Sequence, residues 1–417
     1  MSAVVINQSP TLPNGTQADV IYTLQSVSSS LPQYKFICQI KDDSGNVLSQ
    51  VKQVPNTSGY GVFEVGKLLD DHMGYDTPWL TDAIVNSTNN NIRNFEISFG
   101  EEFGTSISSS LTASIDVSAS LSSSTSFIPA VQERDSGMFN WDSGSYWALT
   151  NASNVVSAVN EESRHNALIV SSSDYLTLST LNIIAAQGAF DGALVQFYNS
   201  NLTPQGAGLP IENTAYTADT INNRLLHIPI GPQNLIEFNA SFIPYISNPS
   251  SYPYYSVKLI YELTDGPFHL FKNEECLTFE GRNFAFINKQ GVFDYYRATL
   301  VDRQTEQFNR KTYKAPYINY STDSGVVDYS YSRRGDTQYF ASFSNNFEVE
   351  TDWLTTEQSN WLFELFESPS VYVQQGSDFI GIIITNASET YRTNPAGQRM
   401  FKYTIQYRLS NSKRSRT

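Results

Sequence analysis

The chain has 417 residues and a formal net charge of −15, with 16% charged and 13% aromatic residues. This composition excludes a disordered chain, because disorder requires few aromatic residues and a high density of charge. It also disfavours nucleic-acid binding, which needs clustered positive charge, since residues 1–270 hold 9 Lys and Arg against 24 Asp and Glu, while residues 271–417 hold 17 of each.

Residues 1–104 are predicted to form an immunoglobulin- or fibronectin-like β-sandwich. Short runs of β-branched and aromatic residues predict strands at 20–24, 34–41, 47–54 and 91–99. The sequence Asp42-Asp-Ser-Gly-Asn predicts a hairpin turn, because Asp, Gly and Asn tolerate a positive φ. Its spacing is not that of a calcium loop, so it is interpreted as a polar turn. A short helix is expected at 66–73.

Residues 105–130 form a Ser-rich segment with a strictly alternating pattern. The apolar residues from 107 to 121 all stand at odd positions, and every even position between them holds Ser, Thr or Asp. Such alternation predicts β-structure with one buried and one wet face. At ~3.3 Å per residue the segment extends about 50 Å, so it is either two strands or one long strand that projects and pairs elsewhere.

Residues 131–270 are predicted to form a middle β domain. Its strands are expected at 167–170, 175–181, 193–198, 225–230 and 256–263. The loop that contains Tyr252, Tyr254 and Tyr255 is interpreted either as a core edge or as an exposed platform on which a ligand stacks.

Residues 271–417 are predicted to form a C-terminal β domain that carries one short amphipathic helix near 356–367. Thr355 and Gln358 form a capping box at its start, and Ser368-Pro369 ends it. The apolar stripe of this helix is expected to face a sheet and consists of Trp361, Leu362, Leu365 and Phe366. Strands at 371–374, 379–385 and 400–409 are expected to supply that sheet.

The residues that could carry chemistry show no catalytic or metal-binding spacing. Four histidines are scattered along the chain, namely His72, His165, His227 and His269. No metal and no cofactor is therefore assigned. Adjacent acids at 101–102 and 161–162 point to opposite faces of a strand, so neither pair is a general acid–base pair. We therefore expect that the protein is not an enzyme.

Cysteine usage and hydropathy predict a chain made in a reducing cytoplasm. Cys38 shares one strand face with Tyr34, Phe36 and Ile40, which is typical of a buried free thiol. The N-terminus shows no secretory signal. The longest apolar run, 379–384, is far shorter than the ~20 residues that cross a bilayer, so no membrane insertion is expected.

The C-terminal third carries several motifs in a characteristic order. They are Phe286-Ile-Asn-Lys-Gln-Gly-Val-Phe-Asp-Tyr-Tyr, Arg310-Lys-Thr-Tyr, Thr351-Asp-Trp-Leu-Thr and Trp361-Leu-Phe-Glu-Leu-Phe-Glu-Ser-Pro-Ser-Val-Tyr-Val. This order resembles the tail and neck structural proteins of tailed phages that infect Bacteroidetes, including the crAss-like group, over residues 276–410. The resemblance implies no active site.

The resemblance implies a virion structural protein that is assembled in the host cytoplasm. It would form a symmetric six- or twelve-fold ring in the neck or tail, or a tail hub, and connect other virion proteins around the DNA passage. Its partners would be further copies of itself and neighbouring neck, tail or portal proteins. The acidic residues 1–270 would border the DNA channel without binding DNA specifically, or would serve solubility alone.

The alternating segment would contribute to assembly by pairing with a sheet edge of a neighbouring subunit. The candidate assembly residues are Ile107, Leu111, Ile115, Val117 and Leu121. The alternative is a receptor- or glycan-binding tail module that stacks sugars on the three tyrosines named above. A third reading is a polysaccharide-degrading enzyme, for which the sequence shows no positive sign.

Overall fold

The computed structural model describes residues 4–10, 15–17, 19–87, 91–107, 110–119, 126–131, 147–184, 188–216, 224–274, 281–314, 318–320, 325, 327–329, 335–386 and 400–411. Within them the chain is mainly β with several antiparallel sheets, as predicted. The chain divides into two compact units. Unit 1 comprises Met1–Glu275, Phe286–Tyr296 and Trp361–Ser368, and unit 2 comprises Cys276–Ala285, Arg297–Asn360 and Pro369–Thr417.

Unit 1 begins with short strands and one short helix. They are β1 (Val4–Gln8), β2 (Gly15–Gln17), β3 (Ile21–Ser26), β4 (Lys35–Lys41), β5 (Val47–Gln53), β6 (Tyr60–Glu64), α1 (Gly66–Asp70), β7 (Val85–Asn86), β8 (Arg93–Asn94), β9 (Glu96–Phe103), β10 (Thr112–Ala119) and β11 (Ser126–Val131). A three-stranded sheet has the order β1-β3-β6 and a four-stranded sheet the order β10-β9-β4-β5. A third sheet, β2-β11-β8, contains a parallel pair.

The two larger of these sheets pack face to face as a β-sandwich. Tyr22 of β3 contacts Phe99 of β9, with ring centroids 5.0 Å apart. Alternate residues of β4 enter this core, and the predicted face of Tyr34, Phe36, Cys38 and Ile40 is buried. The hairpin between β4 and β5 is also confirmed, because Asp42 Oδ1 accepts the backbone N–H groups of Ser44 and Asn46 at 2.9 and 2.8 Å.

One predicted strand is divided by the fold. The segment 91–99 was expected to be a single strand, but β8 pairs with β11 while β9 pairs with β4. Phe95 lies between β8 and β9 and is buried in the sandwich core, so the chain changes sheets at this residue. The alternating segment contributes β10, which pairs antiparallel with β9 and so confirms β-structure there.

The remainder of Met1–Glu275 contains a larger sheet. Its elements are β12 (Val155–Val156), β13 (Leu168–Val170), β14 (Thr177–Leu181), β15 (Ile183–Ile184), β16 (Gly188–Tyr198), β17 (Pro204–Glu212), β18 (Leu225–Pro229), α2 (Pro232–Phe238), α3 (Ile243–Ile246), β19 (Tyr254–Tyr261) and β20 (Asp265–Asn273). The main sheet has the order β12-β20-β19-β16-β15, with β13 on β20 and β17 on β16. A separate sheet, β14-β18-β7, includes β7 from the N-terminal segment, with Leu226 opposite Asn86.

The C-terminal part of the chain contains long strands and the principal helix. They are β21 (Arg282–Ile287), β22 (Phe293–Ala298), β23 (Leu300–Lys314), β24 (Ile318–Tyr320), β25 (Val327–Tyr329), β26 (Asp336–Glu350), α4 (Thr356–Glu367), β27 (Val371–Gln375), β28 (Asp378–Ile384) and β29 (Thr404–Leu409). Within unit 2, neighbouring strands follow the order β27-β28-β29-β26-β23. No helix among the described residues has the length and apolar character to cross a membrane.

The predicted capping box of α4 is confirmed in both directions. Gln358 Oε1 accepts the Thr355 backbone N–H at 3.0 Å, and Thr355 Oγ1 accepts the Gln358 N–H at 3.2 Å. The helix ends at Glu367, immediately before Ser368-Pro369, as expected. Trp361, Leu362 and Leu365 of the stripe are buried, whereas Phe366 is half-buried.

Candidate assembly surfaces

The predicted assembly residues lie on and beside an edge strand. β10 is a terminal strand of its described sheet, because its one hydrogen-bonded neighbour there is β9. Ile107 is 80% exposed and Leu111 is 44% exposed, and both precede β10. Ile115 and Val117 belong to β10, but their side chains, like all of Leu121, fall outside what the structure describes. One edge of β10 in the alternating segment therefore pairs within its own chain. The role of this segment in assembly stays a prediction.

An open groove adjoins Leu111 at one end of the sandwich. It has a volume of about 840 Å³ and is lined in part by Leu31, Gln33, Tyr34, Val54, Pro55 and Leu111. Gln33 Nε2 donates a hydrogen bond to the carbonyl of Ile107, which ties the segment before β10 to the groove wall. We call this feature the N-terminal groove.

A buried carboxylate holds the wall of this groove in place. Glu101 accepts hydrogen bonds from Tyr34 Oη at 3.0 Å and from Ser26 Oγ at 2.8 Å. Its neighbour Glu102 accepts from Lys52 Nζ at 2.7 Å instead. The two adjacent acids thus have separate partners, as expected for consecutive residues of a strand. Glu101 therefore holds Tyr34, the one aromatic side chain in the lining of the N-terminal groove, in a fixed orientation.

The described part of unit 2 includes a two-stranded ribbon. β23 and β26 pair antiparallel along their whole length, with Leu300 opposite Glu350 and Lys314 opposite Asp336. Since β29 pairs only with residues 346–350 of β26, the stretches 306–314 and 336–345 have only each other as described hydrogen-bonded neighbours. At ~3.3 Å per residue these stretches extend about 30 Å. We call them the ribbon.

The β23 strand of the ribbon is open to solvent on both faces, whereas β26 is exposed at 336 and 338–340 and half-buried at 337, 341, 342 and 345. Every residue of β23 from 303 to 314 is exposed, without the alternation that a strand with one buried face would show. Large aromatic side chains are nevertheless present, with Phe308 57% and Tyr339 56% exposed. Tyr313 packs edge-on against Tyr339, with ring centroids 6.0 Å apart. Exposed aromatic residues in this density are typical of an interaction surface.

Positive charge accompanies these aromatic residues. The Arg310 guanidinium lies 5.7 Å from the centroid of the Phe308 ring, and Lys311 Nζ lies 5.7 Å from that of Phe340. In the distal half of the ribbon, 310–314 and 336–340, three cations stand against the single carboxylate of Asp336. This composition is the opposite of that of residues 1–270, where acids outnumber bases.

A buried polar cluster in unit 1 involves two of the motifs that carry the phage resemblance. Trp361 Nε1 donates to Asp294 Oδ2 at 2.8 Å, and Thr150 and Asn288 also hydrogen-bond the Asp294 side chain. Glu364, one helical turn from Trp361, accepts from Asn151 Nδ2 at 2.8 Å and from the Lys289 backbone N–H at 3.0 Å. The cluster joins loop 149–151, hairpin β21–β22 and helix residues 361–364.

The electrostatics of this cluster favour neutral carboxyl groups. Burial, together with the nearby Glu364 charge, raises the pKa of Asp294 to about 7, although its hydrogen-bond donors act in the opposite direction. Burial also raises the pKa of Glu364. Both carboxyl groups are occupied by donors of their own unit, an arrangement that fastens the helix to the hairpin. The sequence analysis did not predict this cluster. The signal for it was Glu364, an acidic residue on an otherwise apolar face of the helix.

Among the other candidate residues, His227, His269 and Cys38 are buried, whereas His72 is half-buried and His165 is exposed. His227 lies between Ser179 Oγ, 2.8 Å from its Nδ1, and Asp76 Oδ2, 3.4 Å from its Nε2. His269 is fully buried, which lowers its pKa to about 4. Burial likewise raises the pKa of the Cys38 thiol to about 12. No group of three or more His, Cys, Asp or Glu among the described residues could hold a metal ion.

The tyrosines proposed as a ligand platform are mostly internal. Tyr254 and Tyr255 belong to β19 and are buried, so the interpretation as an exposed platform is wrong for these two residues and the core-edge alternative holds. Tyr255 stacks on Phe271, with ring centroids 5.0 Å apart. Tyr252 is half-buried against Tyr245.

Comparison with known proteins assigns no family to this chain. No protein-family model matches it, and no curated protein matches its sequence. The observations that bear on function are therefore the N-terminal groove, the ribbon and the motifs around Asp294 and Trp361.

Proposed function

We propose that the protein is a structural component of a tailed-phage virion. It self-assembles into a ring in the neck or tail, or forms a tail hub, and connects neighbouring neck, tail or portal proteins around the DNA passage. The observation that carries this proposal is the ribbon, whose aromatic side chains are exposed on an element with no third strand among the described residues. A two-stranded ribbon is marginally stable alone in water, so a partner that covers it would stabilise it.

The assignment of the sheets to particular β-sandwich folds is part of the same proposal. Tandem immunoglobulin- or fibronectin-like sandwiches followed by a C-terminal β domain would provide extended surfaces for contacts with several neighbours. The two facing sheets around Tyr22 and Phe99 support this assignment for the first module. The pairing of β7 with β18 ties that module to the sheet that follows.

The charge distribution supports a position beside the DNA passage. Residues 1–270 hold 24 acids and 9 bases, and a surface of the same sign as the phosphates discourages DNA from binding. The genome could then pass without being retained. A potential map of the assembled protein with a neutral or basic lumen would contradict this part of the proposal.

Oligomeric state and symmetry test the central proposal. Light scattering on the full chain, followed by negative-stain imaging, should show closed rings of one symmetry and a mass that is a multiple of 46.7 kDa. A chain that stays monomeric at all accessible concentrations would overturn self-assembly. A glycan array on the same sample tests the binding-module alternative, which requires specific glycan binding by a monomeric chain.

A further inference from the structure

We propose that one face of the ribbon binds an oligosaccharide that contains acidic sugars. This face, which we call the aromatic face, presents the side chains of Lys311, Tyr313, Tyr339 and Phe340. Such binding is a further function beside the proposed assembly, because the opposite face of the ribbon remains available for contacts between copies.

The register of the ribbon places these four residues together. Residues directly opposite each other in an antiparallel pair share a face, and Lys311 lies opposite Phe340. Tyr313 stands two positions beyond Lys311 and therefore points to the same side. The register shifts next to Lys311 and leaves Tyr339 as an extra residue, whose ring packs against Tyr313 with centroids 6.0 Å apart. The shift thus adds a third aromatic ring to this face.

The aromatic face is accessible to a ligand. Tyr339 is 56% exposed, Tyr313 51% and Phe340 37%. Lys311 is exposed as well, and its Nζ lies 5.7 Å from the centroid of the Phe340 ring. Three rings and one cation therefore form a surface that a ligand can reach without rearrangement of the chain.

The composition of the ribbon favours a sugar over a protein as the ligand. Residues 306–314 and 336–345 contain no Leu, Ile, Val or Met, whereas the core of a protein interface is strongly apolar. Asn309 and Ser342 stand opposite each other on the aromatic face. The C–H groups on one side of a sugar ring pack flat on an aromatic ring, and its hydroxyl groups hydrogen-bond amide and hydroxyl side chains. The aromatic face offers both kinds of contact.

Charge indicates which class of sugar fits. Within the part of the ribbon that the structure describes, the aromatic face carries Lys311 and no carboxylate. The opposite face is balanced, because Arg310 and Lys314 share it with Glu306 and Asp336. A carboxylate on the ligand would meet a cation on the aromatic face and no like charge beside it. The aromatic face therefore fits oligosaccharides that contain uronic acids or similar acidic sugars.

A nucleic acid matches this surface less well. Bases also stack on aromatic rings, but proteins that bind single strands combine the rings with a positively charged groove along the backbone. The aromatic face has one lysine for three rings, and the whole protein has a net charge of −15. A polymer with a charge on every nucleotide would be repelled more strongly than an oligosaccharide that mixes acidic and neutral sugars.

A glycan array that holds uronic-acid oligosaccharides and their carboxyl-reduced counterparts tests the proposal on the full chain. The strongest acidic probe and its reduced counterpart are then titrated in solution by calorimetry. We expect the acidic probe to bind about 3- to 5-fold more tightly, the effect of one exposed ion pair. High salt should abolish this preference while both probes still bind.

Two variants locate the contact, and two matched controls lie on the opposite face. Tyr313→Ala with Tyr339→Ala should weaken the binding of both probes at least about 10-fold. Lys311→Gln should remove the preference for the acidic probe and leave the reduced probe unaffected. The controls, Phe308→Ala and Arg310→Gln, should bind like the wild type. All five side chains are exposed, so circular dichroism should show folded protein in every case.

Several results would overturn the proposal. One is an array on which no probe binds, and another is a Phe308→Ala variant that loses as much binding as the tyrosine variant. If no probe binds and the tyrosine variant fails to assemble, the aromatic face is a contact between copies. If a single-stranded oligonucleotide binds more tightly than every sugar probe, the surface recognises nucleic acid instead.

Oligomeric state, measured on the same samples, separates this proposal from the proposed function. Rings that bind the acidic probe through the aromatic face would support both. Rings that bind no sugar would overturn glycan binding alone. A chain that stays monomeric and binds the acidic probe through the aromatic face would support glycan binding and overturn self-assembly.

Discussion

The chain contains two β-hairpins with opposite relations to solvent. In β21 and β22 nearly every residue is buried, and the turn between them contributes Asn288 and Lys289 to the cluster around Asp294 and Glu364. In the ribbon every residue of 306–314 is exposed, as are residues 336 and 338–340 of the opposite strand, and aromatic side chains there contact one another or the cations beside them. One hairpin is stabilised by its own chain, while the other lacks such support among the described residues.

This difference indicates which hairpin maintains the fold and which is available to a partner. A buried carboxylate must be paired with donors in its own chain, because no water replaces a lost hydrogen bond. An exposed aromatic side chain needs no such partner within its own chain. Its apolar surface remains accessible to another molecule. The motifs 286–296 and 361–368 therefore stabilise the fold, and we propose that the ribbon serves association.

The largest effect is expected at Trp361, which is buried and donates to Asp294. We expect Trp361→Ala to lower the free energy of unfolding by about 3–5 kcal/mol, through the cavity and the lost donor. Denaturant titration measures this change. Trp353→Ala is the matched control, because Trp353 is 60% exposed and should cost far less. An equal loss of unfolding free energy in the two variants would show that the burial of Trp361 does not stabilise the fold.

A pH-dependent effect of smaller size is expected at Asp294. Because folding raises its pKa to about 7 from an ordinary value near 4, the folded state holds a proton that the unfolded state releases. This contribution to stability is therefore complete at acidic pH and is lost as the pH rises through 7.

Asp294→Asn, which stays neutral, should reduce the fall in unfolding free energy between pH 5 and pH 8 by about 2 to 3 kcal/mol. Thermal or denaturant unfolding at both pH values measures the difference. Trp361→Phe should have the opposite effect. Loss of the donor to the carboxylate raises the Asp294 pKa further, so the decrease in unfolding free energy should continue to higher pH. Parallel pH profiles of the wild type and Asp294→Asn would contradict the assignment.

Features set by neighbouring residues could be predicted from the sequence. The capping box of Thr355 and Gln358, the turn at Asp42 and the buried face of β4 each depend on residues a few positions apart. Helix α2 was missed even though Gly231 is its N-cap and Pro232 its first residue, because proline at the first helical position can also be interpreted as a break between strands.

Features that bring distant segments together could not be predicted. The pairing of β7 with β18 joins residues about 140 positions apart, and no local pattern encodes such a register. The Asp294 cluster draws on three separate segments for the same reason. The ribbon was missed for a different reason: the period-two signal of a strand comes from one buried face, and the side chains of the ribbon that the structure describes form no such face.

The smallest effect is expected from the ribbon, and it completes the comparison of the two hairpins. Under dilute conditions that keep the chain monomeric, Phe308→Ser with Tyr339→Ser should change the unfolding free energy by less than about 1 kcal/mol. Both side chains are exposed, and fraying of an isolated ribbon leaves the packed sheets intact. Denaturant titration beside Trp361→Ala measures this contrast. A loss as large as that of Trp361→Ala would mean that the ribbon belongs to the core of the monomer, and its exposed residues would then no longer be available to a second copy.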